Sequence, residues 1–131
     1  MALIEIVREV RLTPQESWDR LTDWRRHGEF VPLTRISLTP HGFDAFTGVG
    51  RLGFHDPMDV VVSRERQFCR LEKRGRVVTG WAELSVEPCG EGSRVTWRED
   101  IHVRGMPRLM DGVTRASSRR LFSRVIDGLL A

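Results

Sequence analysis

The sequence predicts an α+β fold in which a curved antiparallel sheet of about seven strands wraps around one long C-terminal helix, with two short helices after the first strand. Three observations predict it. The last third reads as a long β-hairpin, Arg76 to Val103, folded at Pro88-Cys89-Gly90-Glu91-Gly92-Ser93. That hairpin runs directly into a single helical segment, Met106 to Leu130. Between the first strand and the hairpin, helical signals occur only once and β patterns follow without interruption. A helix that arrives last, after antiparallel strands, must lie across the apolar face of their sheet. A curved sheet holding one helix leaves a cavity between them.

The elements follow in order. Leu3 to Leu12 alternates as a strand, with Ile4, Ile6, Val10 and Leu12 on one face and Arg8 among them. Thr13-Pro14-Gln15-Glu16 is a helix start: Thr13 can cap, Pro14 suits the first helical position, and Glu16 completes a capping box. Trp18, Leu21 and Trp24 continue at helical spacing, and His27 to Pro32 breaks that helix and adds a short second one. From Thr34 the pattern is β: Arg35 to Leu38, a glycine-rich run from Phe43 to Leu52, and the β-branched run Met58 to Ser63. Gln67 to Arg74, Val77 to Glu87 and Arg94 to Val103 close the series. Gly42, Gly48, Gly50 and Gly53 mark curvature or close approach, not a phosphate loop, because no GxGxxG or GxxxxGK precedes a helix.

Composition limits the function classes. At 131 residues the chain is expected to be one domain, residues 1–131, with a substantial core. Hydrophobic content of 40% and charged content of 30% are those of an ordinary soluble protein. There is no positively charged leader before an apolar run and no apolar stretch of about 18 residues, so a cytoplasmic protein without membrane insertion is expected. Cys69 and Cys89 make neither a disulfide framework nor a metal spacing, and no cofactor is expected. The net charge of +3 resides in the last helix, where Arg108, Arg115, Arg119, Arg120 and Arg124 face only Asp111 and Asp127. This is read as a solvated outer face; an acidic partner is the other reading. Nucleic acid is not expected, since no interleaved aromatics or module signature accompany the basic residues.

The order of elements is the helix-grip arrangement, and here the chain resembles the START/Bet v 1-like (SRPBCC) superfamily, in its polyketide cyclase/dehydrase-type branch. The resemblance is carried by the segment Thr13-Pro14-Gln15-Glu16-Ser17-Trp18-Asp19-Arg20-Leu21-Thr22-Asp23-Trp24. Gly53-Phe54-His55-Asp56-Pro57-Met58 and the hairpin end Gly92-Ser93-Arg94-Val95-Thr96-Trp97 support it. It implies a helix-grip fold over nearly the whole chain and a cavity. The superfamily includes lipid carriers, hormone receptors and aromatase/cyclases and has no shared catalytic signature, so no catalytic residue is implied.

The residues themselves locate a candidate pocket. On the last helix Met110, Thr114, Ser117, Leu121, Val125 and Gly128 form one stripe, with Ser118, Phe122 and Leu129 beside it. The large C-terminal half anchors on the sheet, and the small N-terminal half leaves volume under Met110, Thr114 and Ser117 unless Trp97 fills it. In the closing strand Val95, Trp97, Glu99, Ile101 and Val103 share the inner face. Arg8 faces inward by the same counting, and in a helix-grip sheet the first and last strands are neighbours, so Arg8 and Glu99 are expected to meet. Three readings stay open: an ion pair fixing register, a polar anchor for a ligand's carbonyl or hydroxyl, or Glu99 as a general base tuned by Arg8. Leu71, Cys69 and Lys73 alternate toward the inside. The resemblance implies that the cavity opens near His55, between Phe54 and Met58, with His55 as a turn residue or an acid–base group at a strand entrance. His27, His41 and His102 read as loop or outer-face residues. No pair has metal-ligand spacing, and no cysteine or serine has a nucleophile setting. Trp81 falls on the convex face, as a homodimer contact or beneath a long side chain.

The expected function is therefore binding of a small hydrophobic molecule such as a lipid, polyketide or aromatic metabolite, with Arg8, Phe54, His55, Met58, Leu71, Trp97, Glu99, Met110, Thr114 and Ser117 around it. The alternative is a polyketide cyclase/aromatase-type enzyme using the same cavity.

Overall fold

The computed structural model describes residues 2–63 and 67–131, the side chains of Ala2 and Arg108 set aside. Its elements are β1 (Ala2–Val10), α1 (Pro14–Leu21), α2 (Trp24–His27), β2 (Thr34–Thr39), β3 (Gly42–Val49), β4 (Leu52–Ser63), β5 (Phe68–Arg74), β6 (Val78–Cys89) and β7 (Gly92–Val103). A 3₁₀ turn (Arg108–Met110) then leads into α3 (Asp111–Leu130). Among the described residues the seven strands form one sheet in the order β1-β7-β6-β5-β4-β3-β2, and each neighbouring pair is antiparallel. Strands β2 to β7 lie side by side in chain order. The two short helices carry the chain from β1 at one edge to β2 at the other, and this detour lets the sheet curl around α3.

The opening of α1 is a complete capping box: Thr13 Oγ1 accepts from the Glu16 N–H at 3.1 Å, and Glu16 Oε1 accepts from the Thr13 N–H at 3.2 Å. Trp18 and Leu21 on its inner face are buried. Ser17 and Ser93, both buried, hydrogen-bond at 2.6 Å, and the Ser93 hydroxyl donates to the Leu12 carbonyl at 3.0 Å. That chain fastens α1 to β7. The main core lies between Ile4, Ile6, Leu84, Val86 and Val95 of the sheet and Val125, Ile126, Leu129 and Leu130 of α3.

Three boundaries differ from the sequence reading. The last hairpin turns on Gly90-Glu91 alone, since β6 reaches Cys89 and β7 begins at Gly92. Strand β4 starts at Leu52, so His55 and Asp56 lie within a strand and not at its entrance. Pro57 is tolerated there because the β4–β5 ladder begins one residue later, at Met58↔Lys73. Helix α3 starts at Asp111 and not at Met106, because Pro107 disfavours helical geometry at the residue before it. The glycine-rich run does mark a close approach: Gly48 pairs with Gly53, and a Cβ on Gly53 would stand 2.8 Å from the Gly48 Cα.

Candidate functional site

A cavity of about 240 Å³ lies between the sheet and the middle of α3. Its wall is formed by Ala45, Phe43, Phe54, Met58, Leu71 and Ala82 from the sheet and Ser118, Leu121, Phe122 and Val125 from the helix. Trp97 does not fill the space; its indole stacks on the Phe122 ring (centroids 5.4 Å apart, planes 19° apart) and forms a wall. The cavity survives because Ala45 and Ala82 replace large side chains on the inner face of central strands. Ala82 stands directly opposite Glu99.

Three charged side chains enter this apolar space from three strands: Asp56 from β4, Lys73 from β5 and Glu99 from β7. The Lys73 ammonium donates to Asp56 Oδ2 at 2.7 Å and lies 3.8 Å from the Met58 sulfur, with only 5% of the lysine side chain exposed. Glu99 is fully buried. Neither of its carboxyl oxygens has a hydrogen-bond partner among the described residues, nor does the second oxygen of Asp56, Oδ1, or the Trp97 indole Nε1. Burial pushes the Glu99 carboxyl up to about 7, against the opposing pull of Lys73 and of the Trp97 indole N–H, and Asp56 adds to the rise.

His27 is the clearest correction among the histidines. It is buried, lines the cavity, and its Nε2–H donates to the Leu21 carbonyl at 2.8 Å. Its ring lies 5.2 Å from that of Trp24 and 6.3 Å from that of Trp97. Desolvation holds this imidazole below its usual range, outweighing the bond to the carbonyl, so it is neutral near pH 7. The helical spacing Trp18, Leu21, Trp24 extends by three residues to His27, a signal that the break at Gly28 obscured.

Of the residues expected at the site, Phe54, Met58, Leu71, Trp97 and Glu99 line the cavity. Arg8 does not meet Glu99. It is paired in register with Val95, while Glu99 lies opposite Ile4, and its guanidinium reaches Asp127 of α3 at 2.9 Å. The charged groups that act on inner-face Glu99 are instead Lys73 of β5 and Asp56 of β4, neither of them hydrogen-bonded to it. His55 is exposed, its Nδ1 2.6 Å from Asp44 Oδ2 and its ring against Phe46. On α3, Met110 and Ser117 are exposed, and buried Thr114 lies outside the cavity wall. The helix is rotated so that Ser118 replaces Ser117, and the cavity lies under Ser118 to Val125. Serine at both positions offers no apolar contrast; Val125, Ile126 and Leu129 set the rotation.

Outside the cavity, Trp81 is covered by the Arg70 guanidinium, 4.7 Å from its ring, and Arg70 also pairs with Glu72 and Glu83. Burial pushes the Cys69 thiol up to about 12, which keeps it protonated. On the outer face of α3, Arg115, Arg119, Arg120 and Arg124 are exposed, and Arg119 donates to the Glu5 carbonyl at 2.9 Å. Among the described residues no cluster of His, Cys, Asp and Glu could hold a metal ion, and no helix is long and apolar enough to cross a membrane.

Sheet, gripped helix and intervening cavity together define a helix-grip fold. The chain belongs to the polyketide cyclase/dehydrase and lipid transport family, whose model matches residues 1–131. Among solved structures, a START superfamily protein from Mycobacterium smegmatis is similar with a TM-score of 0.79 at 11% identity, over 98% of this chain and 96% of that one. The Zhui aromatase/cyclase from Streptomyces sp. R1128 has a TM-score of 0.65 at 14% identity, over 97% and 85% of the two chains. Norcoclaurine synthase from Thalictrum flavum has a TM-score of 0.67 at 13% identity, over 97% and 84%. At these identities the likeness is one of fold. No match was found among curated proteins.

Proposed function

We propose that the chain is a single ligand-binding domain that holds one small hydrophobic molecule between sheet and α3, in contact with Phe54, Met58, Leu71, Trp97, Phe122 and Glu99. The observation that carries this reading is the apolar cavity of about 240 Å³ with unpartnered polar atoms on its wall. Interiors are ordinarily close-packed, and buried polar groups are ordinarily hydrogen-bonded. A space that breaks both rules at one place is what a small-molecule site requires before its ligand arrives. An apolar cavity of roughly 150 Å³ accommodates a benzene ring, so the volume here suits one ring with a short substituent, or a comparable chain. Membership of a family described by polyketide cyclases, dehydrases and lipid transport supports an apolar ligand.

Titration of the purified protein with 2-phenylethanol, followed by NMR, tests the reading. Saturable shifts confined to the cavity residues are expected. Shifts scattered over the surface, or none, overturn it.

A second reading has its own support: a cyclase- or aromatase-type reaction in the same cavity, as the similarity to the Zhui aromatase/cyclase suggests. A carboxyl whose ionisation has been raised to about 7 divides its population between acid and base near neutrality, which suits proton transfer. Turnover of an aromatic-forming polyketide chain by the wild type, lost in Glu99→Gln, would establish this reading; ligand release unchanged after long incubation would exclude it.

A further inference from the structure

The charges in the cavity do not balance, and the imbalance points to the chemistry of the occupant. Lys73 and Asp56 satisfy each other across β4 and β5. Glu99 has no such partner. Every element around it has been accounted for: β1 places Ile4 opposite it, β6 places Ala82, and α3 presents Ser118, Leu121, Phe122 and Val125. The remaining titratable group of the wall, His27, is held neutral by burial. The formal charges of Asp56 and Lys73 sum to zero, so an ionised Glu99 leaves a net formal charge of one negative on the wall, offset only in part by the pull of the Lys73 ammonium. The unused hydrogen-bonding capacity has the same sign. Glu99 Oε1, Glu99 Oε2 and Asp56 Oδ1 lack hydrogen-bonded donors, and the one unpaired donor beside them, the Trp97 indole N–H that favours an ionised Glu99, could satisfy only one of the three.

Resting on the cavity reading above, we infer that the preferred ligand is a small monocationic amine: an ammonium donor group directed at Glu99, on an apolar body of about one ring seated against Trp97, Phe122 and Met58. An ammonium brings three donors and one positive charge, so it answers both deficits at once. A carboxylate ligand would add a second negative charge beside Glu99 and a fourth acceptor. A neutral alcohol would supply one donor and leave the charge uncompensated. Binding of the cation also favours the ionised form of Glu99, so near neutrality the complex should release a fraction of a proton to solvent.

Three probes of similar size decide the matter by calorimetry on the intact chain: 2-phenylethylammonium, 2-phenylethanol and phenylacetate. At about pH 8 the amine should bind at least about ten-fold more tightly than the alcohol, and the carboxylate most weakly. The preference should shrink as pH falls below about 6, where Glu99 is protonated. At pH near 7, repeating the amine titration in buffers of different ionisation enthalpy should reveal proton release, absent with the alcohol. In Glu99→Gln the preference for amine over alcohol should vanish, whatever happens to the absolute affinities; if that variant does not fold, the wild-type pH series decides. Alcohol bound as tightly as amine at pH 8, or carboxylate preferred, overturns the inference and leaves the cavity reading standing. Failure of all three to bind overturns both.

Discussion

At the scale of single residues, Glu99 combines full burial with two unpartnered oxygens, so the folded protein favours its neutral form. The consequence for stability has a definite sign. The unfolded chain loses this proton near 4.5, the folded chain near 7. Between those values the folded state holds more protons, so stability falls as pH rises through that window and is level above it. At roughly 1.36 kcal/mol per pKa unit the whole decline is on the order of 3 kcal/mol. Glu99→Gln should therefore gain melting temperature relative to wild type between pH 5 and pH 8; melting curves that stay parallel across that range would show that Glu99 is not held neutral by the fold. Lys73 is exposed to the opposite risk. Lys73→Met strips Asp56 of its partner, and a buried carboxylate left alone costs about 3–5 kcal/mol. Urea unfolding at pH 7 measures that loss.

At the scale of elements, much was legible because the determinants are local and periodic. The Thr13–Glu16 capping box fixed the start of α1 in sequence and in structure alike. The alternation Val95, Trp97, Glu99, Ile101 placed Glu99 inside, where it is. What local pattern could not supply was partnership across strands. Arg8 and Glu99 lie on adjacent strands and on the same face, yet the β1–β7 register places Val95, not Glu99, opposite Arg8, a separation no periodicity within one strand encodes. Likewise Asp56 could not be matched to Lys73 before the β4–β5 register was known. The register depends in turn on close backbone approach, most clearly at Gly80 near the start of β6. There φ is +121°, and a Cβ would stand 2.0 Å from the Asp100 carbonyl oxygen. Gly80→Ala combines a strained backbone, costing about 1–3 kcal/mol, with a clash that β7 must yield to. Since β7 carries both Trp97 and Glu99, the expected result is a lowered melting temperature together with altered chemical shifts at those two residues. A neutral outcome in both would mean that β7 does not depend on this approach.

At the scale of the whole molecule, the cavity reflects a division of labour along the gripped helix. The C-terminal half of α3 is packed tightly, with Val125, Ile126, Leu129 and Leu130 buried against β1, α1 and the centre of the sheet. The cavity begins where that packing ends, and small residues on the opposing strands, Ala45 and Ala82, maintain it. A protein selected only for stability would fill such a space, because each methylene moved from water into a dry core is worth about 0.8 kcal/mol. Ala45→Leu adds three carbon atoms to the cavity wall at a buried position on β3. If the space is empty in the resting protein and reserved for a ligand, the substitution should raise stability by up to about 2 kcal/mol and weaken 2-phenylethanol binding at least about ten-fold. That opposition of stability and binding is the signature of a space kept open for function. The control is Leu71→Ala on the same wall, which enlarges the cavity and should cost about 2–5 kcal/mol while still admitting the alcohol. If Ala45→Leu instead destabilises the protein, the wall is already fully packed around that position. If it stabilises but leaves binding intact, the alcohol binds somewhere other than between sheet and helix.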